Sequence, residues 1–135
     1  MGKKKVGEKE WSLKVSFCEI YKEELRDLLG SSTAKLQIRQ ARNGSIYVEN
    51  LTEEYVCSAE EIIDLIAIGE KSRSVSSTDM NATSSRSHSV FIISVEQKSK
   101  ERSISAKLNL IDLAGSEKVS KTNAKVFLQK NFFLF

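Results

Sequence analysis

Two apolar runs constrain this chain more than any other feature: "SVFIISVEQ" (89–97) and "KLNLIDL" (107–113), separated only by the polar, basic "KSKERSISA". Each run has the length and the branched, apolar content of a largely buried strand. A connector this short joins two strands as an antiparallel hairpin, so the start of the first lies beside the end of the second. The hydroxyl-rich cluster "NATSSRSH" (81–88) leads into the first strand, and "DLAGSE" (112–117) closes the second. The hairpin therefore brings two polar clusters, distant in sequence, to one edge of a sheet.

The rest of the chain reads as short elements of both kinds. "SLKVSFCEIY" (12–21) alternates Leu13, Val15 and Phe17 before shifting phase, as a buried strand does. Leu25, Leu28 and Leu29 then fall at helical spacing, with Gly30 as a C-terminal stop, which predicts a short helix. "KLQIR" (35–39) and "SIYVENL" (45–51) flank Asn43-Gly44, a dipeptide that tolerates positive φ at both central turn positions, so a tight hairpin is expected. "SAEE" (58–61) is a capping box ahead of Ile62, Ile63, Leu65, Ile66 and Ile68. Gly69 closes that helix after about ten residues. Residues 1–10 read as a loose charged lead-in, 70–88 as a polar stretch, and the tail "AKVFLQKNFFLF" follows no earlier pattern.

Composition narrows the function classes. A chain of 135 residues is one domain or part of one, and 40% hydrophobic with 29% charged residues excludes wholesale disorder. A net charge of +3 fits an acidic partner or an ordinary solvated surface. Nucleic acid is not an expected partner, because Lys3–Lys5 and the 98–107 segment lack interleaved aromatics and a recognition-helix pattern. The apolar tail is too short for a membrane span, which needs roughly 20 residues. "MGKKKVGEKE" has no apolar segment after its basic run, so no secretory signal is expected, and Val6 breaks the myristoylation pattern. Cys18 and Cys57 lie in hydrophobic contexts without metal-ligand spacing and read as buried, reduced thiols of a cytoplasmic protein.

The residue types at the shared sheet edge suit phosphate chemistry. Asp112 ends an apolar strand, where a carboxylate serves a phosphate-bound magnesium ion directly or through water. Gly115 lets a backbone N–H approach a terminal phosphate with no side chain in the way. Ser84 and Ser85 offer small hydroxyls for a metal or a phosphate oxygen, and Arg86 and Glu117 can pair across the two loops as a latch. His88, the chain's one histidine, reads as a hydrogen-bonded structural residue.

"NATSSRSHS" and "LNLIDLAGSEKVSKT" resemble the switch I and switch II motifs of the kinesin motor domain, N-x-x-S-S-R-S-H and D-L-A-G-S-E, without a substitution at their fixed positions. "VSFCEIYKEELRDLL" resembles the family's strand-then-helix segment, and "EEYVCSAEEIIDLIAIGEKSRSVSSTDMN" leans toward the conventional kinesins. The resemblance implies an α/β fold, part of a P-loop NTPase-type motor with a central mixed β-sheet flanked by helices. It also implies an organisation into a lead-in (1–11), a partial motor domain (12–123) and a tail outside the family pattern (124–135). By resemblance, Ser85 and Asp112 serve magnesium, Asp112 through water, while Ser84 sits by the terminal phosphate and attacking water. Gly115 senses that phosphate, Arg86 and Glu117 form the latch, and Asn81 belongs to the same site. The implied cofactors are ATP and Mg2+, and the implied partner is the microtubule, in the cytoplasmic cytoskeleton. Arg39 and Arg42 on the Asn43-Gly44 hairpin, with Lys118 and Lys121, fall in tubulin-contacting regions, although Glu49 stands where conventional kinesins tend to carry lysine.

The 135 residues contain no G-x-x-x-x-G-K-[ST] phosphate cradle. The expectation is thus the middle of an ATP-driven microtubule motor, without ATPase activity of its own and with sheet edges and apolar faces left uncovered. The alternative is a non-catalytic, motor-like chain that binds tubulin or another partner without ATP. The sequence leaves the oligomeric state open.

Overall fold

The structure, a computed structural model, describes residues 3–31, 33–80, 86–114 and 127–129. Its centre is β2 (Lys9–Tyr21), a strand of 13 residues. Residues 15 to 19 of β2 are buried in succession, so the strand is covered on both faces rather than on one. β7 (His88–Lys98) pairs antiparallel with β2 over almost its full length, from Glu10↔Lys98 to Ile20↔His88. The other edge of β2 is shared by three short strands: β1 (Lys3–Val6), β6 (Glu54–Tyr55) and β3 (Glu24–Asp27). β8 (Ser103–Asp112) pairs with the far side of β7, and β9 (Phe127–Gln129) with β8. Every pairing among the described residues is antiparallel, so the parallel pairs that a mixed sheet requires are not among them.

The expected hairpin of the two apolar runs is present: β7 and β8 are antiparallel neighbours joined by residues 99–102. The lead-in is more ordered than the sequence suggested, because β1 folds back onto the start of β2. A larger difference lies after β2. The leucines at helical spacing do not form a helix; Glu24–Asp27 is β3, which turns back along β2 through Lys22 and Glu23, both at positive φ (49° and 65°). This two-residue loop has the backbone of a type I′ hairpin without the usual Asn or Gly, so its sequence carried no turn signal. Leu28 then extends the ladder with its N–H donated to the Phe17 carbonyl at 2.9 Å, and its side chain enters the core. Asp27 rounds off the turn: Oδ1 accepts the Leu29 and Gly30 N–H groups at 3.0 Å each, and Oδ2 accepts that of Thr52 at 2.8 Å.

β4 (Gln37–Gln40) and β5 (Ile46–Glu49) form the expected second hairpin as a separate two-stranded sheet. Its turn differs in detail. Gly44 donates to the Ala41 carbonyl at 2.9 Å and has φ +84°, while Asn43 is not at positive φ. Asn43 instead accepts the Ser45 N–H and hydroxyl on its own Oδ1, so the asparagine caps the turn and glycine alone supplies the left-handed residue.

α1 (Ala59–Met80) begins as its capping box predicts, with Ser58 Oγ accepting the Glu61 N–H at 3.2 Å and Glu61 Oε2 accepting the Cys57 N–H at 2.8 Å. It does not end at Gly69 but runs for 22 residues through much of the polar stretch. Gly69 is buried where α1 crosses β2, and a Cβ there would overlap the Phe17 ring. The glycine marks a close helix–sheet approach rather than a stop. Ile62 and Leu65, on the same face, pack onto the core of Val15, Phe17, Leu28, Val56 and Phe91. Phe17 and Phe91 face each other across β2 and β7, edge to face, with ring centroids 5.2 Å apart. Cys18 is buried as expected; Cys57 is exposed, because it sits just outside the helix cap.

Candidate functional site

The β7–β8 register decides what meets at the sheet edge. Ser89 lies opposite Asp112, so the residues before β7 and those after β8 emerge side by side. His88 links them directly: its Nδ1 accepts the backbone N–H of Ala114 at 2.9 Å. An accepting Nδ1 is unprotonated, so the imidazole is neutral in this bond, with its proton on Nε2.

Beneath this edge lies a residue that the sequence did not single out. Arg73 of α1 is 6% exposed and donates Nε and Nη2 to Ser87 Oγ at 3.3 and 3.1 Å, and Nη2 to the Ser87 carbonyl at 3.0 Å. Its Nη1 lies 3.5 Å from Asp112 Oδ2 and 3.8 Å from Glu70 Oε1, and its Nε 3.5 Å from Glu19 Oε1. Glu19 is itself buried in β2 and also takes Arg26 Nη2 at 2.6 Å. A buried guanidinium needs such compensation, since an uncompensated charge in this position costs several kcal/mol. The signal for Arg73 was its spacing: Ile62, Leu65, Gly69 and Arg73 recur at i, i+3, i+7 and i+11, one face of a helix. Reading Gly69 as a terminus hid it.

Of the residues expected at the site, Asp112 stands at the end of β8 with its side chain 70% exposed, open to a ligand while held from behind by Arg73. Arg86 is exposed, one residue before the fully buried Ser87. Asn81, Ser84, Ser85, Gly115, Glu117, Lys118 and Lys121 lie outside the described residues, and with them the Arg86–Glu117 latch. Arg42 is exposed in the β4–β5 turn, and Arg39 on β4 pairs through Nε with Glu49 Oε2 at 3.0 Å. Glu49 therefore pairs with one of the two arginines of this hairpin. The exposed Asp112 carboxylate at the strand end is a hard-oxygen donor of the kind that would hold magnesium through water. No group of three or more His, Cys, Asp or Glu converges among the described residues.

The sheet and helix, with the ends of β7 and β8 side by side at Ser89 and Asp112, match the fold of a P-loop NTPase-type motor. The profile described as the kinesin motor domain matches residues 1–131. The chain is 56% identical over 121 residues to kinesin-related protein 5 of Dictyostelium discoideum, covering 88% of this chain and 12% of that protein. It is 48% identical over 118 residues to the human kinesin-1 heavy chain, covering 86% and 12%. Among solved structures, that of a fast kinesin superposes with a TM-score of 0.76 at 43% identity, over 89% of this chain and 34% of that one. The chain belongs to the kinesin motor domain family. It spans about an eighth of the length of these two relatives.

Proposed function

We propose that this chain supplies the nucleotide-sensing part of an ATP-dependent microtubule motor. The observation that carries the reading is the register of Ser89 opposite Asp112, with His88 bonded to Ala114. These contacts set the end of the first loop against the start of the second, as a device that senses one phosphate with two loops requires.

In this reading, the motifs that act lie within residues 12–123, inside the wider family match of residues 1–131. Asp112 would hold a magnesium ion through water and Ser85 would offer it a hydroxyl, while Asn81 and Ser84 would line the terminal phosphate. Gly115 presents a backbone N–H to that phosphate, and Arg86 and Glu117 close the loops over it. Magnesium, when bound with ATP, neutralises charge on the phosphates. The residues of this chain then exclude water, position the remaining one and report whether the terminal phosphate is present. Arg42, with Lys118 and Lys121, meets the acidic tubulin surface, and Arg39 contributes less because Glu49 occupies it. The site of action is the cytoplasmic microtubule array. Since the 135 residues hold no G-x-x-x-x-G-K-[ST], they do not turn over ATP by themselves.

The same missing cradle favours a second reading, in which the chain binds tubulin without any response to nucleotide. Microtubule co-sedimentation at low salt, with and without Mg·ATP, separates the two. Binding that changes with nucleotide supports the sensing role, and binding indifferent to it supports the second reading. Microtubule-stimulated turnover by the 135-residue polypeptide would overturn the statement that it is catalytically silent alone.

A further inference from the structure

β8 is paired unequally on its two sides. All of Ser103–Asp112 lies against β7, whereas β9 covers only Asn109, Leu110 and Ile111 on the outer side. Among the described residues no strand lies beside Ser103–Leu108 on that side, so the outward N–H and C=O groups there form an open edge. Such an edge is a template for a further strand. Apolar rows of the sheet also run out to it. Leu13, Val95 and Ala106 stand in one cross-strand row, and Trp11, Gln97 and Ile104 in the next row of the same face, with Trp11 38% exposed.

We propose that this edge is a strand-docking surface and that its occupant is the chain's own segment Lys130–Phe135, drawn along β8 from β9. The described pairing runs Ile111↔Phe127, Leu110↔Leu128, Asn109↔Gln129, and one step forward on β9 is one step back on β8. Carried on at this register, Lys130 falls opposite Leu108 and Phe135 opposite Ser103, so the segment spans the open part of the edge. Antiparallel partners share a face. Phe132 therefore comes to the end of the row Leu13–Val95–Ala106, and Leu134 to the end of the row Trp11–Gln97–Ile104. The segment "KNFFLF" contains no proline and is rich in aromatic residues, a composition that suits a strand. A second copy of the chain is the weaker candidate. It would have to displace β9 to use the whole edge, whereas a segment tethered beside its site competes at an effective concentration of roughly millimolar. Docking at this edge does not depend on the nucleotide-sensing reading.

Disulfide trapping in the 135-residue chain tests the docking. With Cys57→Ser removing the exposed thiol, Ala106→Cys is combined with Phe132→Cys, and separately Ser105→Cys with Phe133→Cys. Of two successive opposed pairs, one is the closer, non-hydrogen-bonded kind, whose Cβ atoms come near enough to bridge. Ala106→Cys with Leu134→Cys is the control, equally near in the chain but two residues out of register. Mild oxidation of a dilute sample is expected to cross-link at least one opposed pair within the chain about tenfold faster than the control, because diagonal Cβ atoms are too far apart. Backbone hydrogen exchange gives a second readout. Phe132→Asp with Leu134→Asp sets two charges against the apolar rows and is expected to speed exchange of the outward amides of Ser103–Leu108 about tenfold, leaving Val90–Ile93 unchanged. Equal rates in opposed and control pairs, or exchange at 103–108 that does not respond, overturns the proposal. Cross-links found only between two chains also overturn it and assign the edge to a second copy. If the double aspartate variant does not fold, the cross-linking result alone decides.

Discussion

The imidazole Nδ1 of His88 accepts the backbone N–H of Ala114 at 2.9 Å, tying the first residue of β7 to the chain just beyond β8. The bond needs an acceptor at the Nδ1 position and a neutral ring. His88→Ala leaves a half-buried N–H without its partner and is expected to cost about 1 kcal/mol, with faster exchange at the Ala114 amide. His88→Asn, whose side-chain oxygen falls near the same place, should restore most of the protection. An NMR exchange series over the three proteins checks this, and equal Ala114 exchange in all three would remove the bond as a determinant.

Gly69 and Phe17 yield a prediction opposite in sign to helix propensity. Alanine is favoured over glycine inside a helix by about 1 kcal/mol. Here its Cβ would overlap the Phe17 ring, so Gly69→Ala should destabilise the fold by about 1–3 kcal/mol, in the range of overpacked cores. Urea denaturation gives the difference. Phe17→Leu in the same chain should relieve part of the overlap, making the double variant less destabilised than the sum of the two.

Burial pushes the Cys18 thiol up to about 11 from 9.0, and the Asp27 carboxylate adds to the rise. The unfolded chain therefore releases this proton at lower pH than the folded one. The contribution to stability is complete below about pH 9 and is lost as the pH climbs toward 11, about 2–3 kcal/mol in all. Between about pH 8 and about pH 10.5 the urea midpoint should fall further in the original chain than in Cys18→Ala. Parallel curves would exclude Cys18 as the source. The exposed Cys57 should be alkylated first at neutral pH, with Cys18 reacting only as the chain unfolds.

The Arg39–Glu49 pair on the β4–β5 hairpin makes a charge prediction. Glu49→Lys removes the carboxylate that occupies Arg39 and adds a cation, so microtubule binding at low salt should tighten severalfold. The gain should shrink as ionic strength approaches physiological values, where the screening length is about 8 Å. Arg42→Glu should act in the opposite direction. Co-sedimentation across a salt series measures both, and no response to either substitution would remove the hairpin from the tubulin-binding surface.

The sequence by itself determined the parts that depend on local pattern. The period of the apolar runs specified β7 and β8, "SAEE" specified where α1 starts, and the short polar connector forced the antiparallel hairpin that sets Asp112 beside the segment before β7. The two motifs at that edge named the family because their residue order is unusual enough to identify without coordinates.

Tertiary structure decided whatever depends on a partner distant in the chain. Leu25, Leu28 and Leu29 have the spacing of a helix, but β2 offers an open edge, and pairing with it outweighs a short helix that has no face to bury. Gly69 has the look of a helix stop until Phe17 stands against it. Arg73 was one more charge in a polar stretch; Glu19, Ser87 and Asp112, from three other segments, make it the buried tie beneath the site. Periodicity records which face of an element is apolar. What that face meets, and which charge is buried with its counterpart, is decided only when the chain closes on itself.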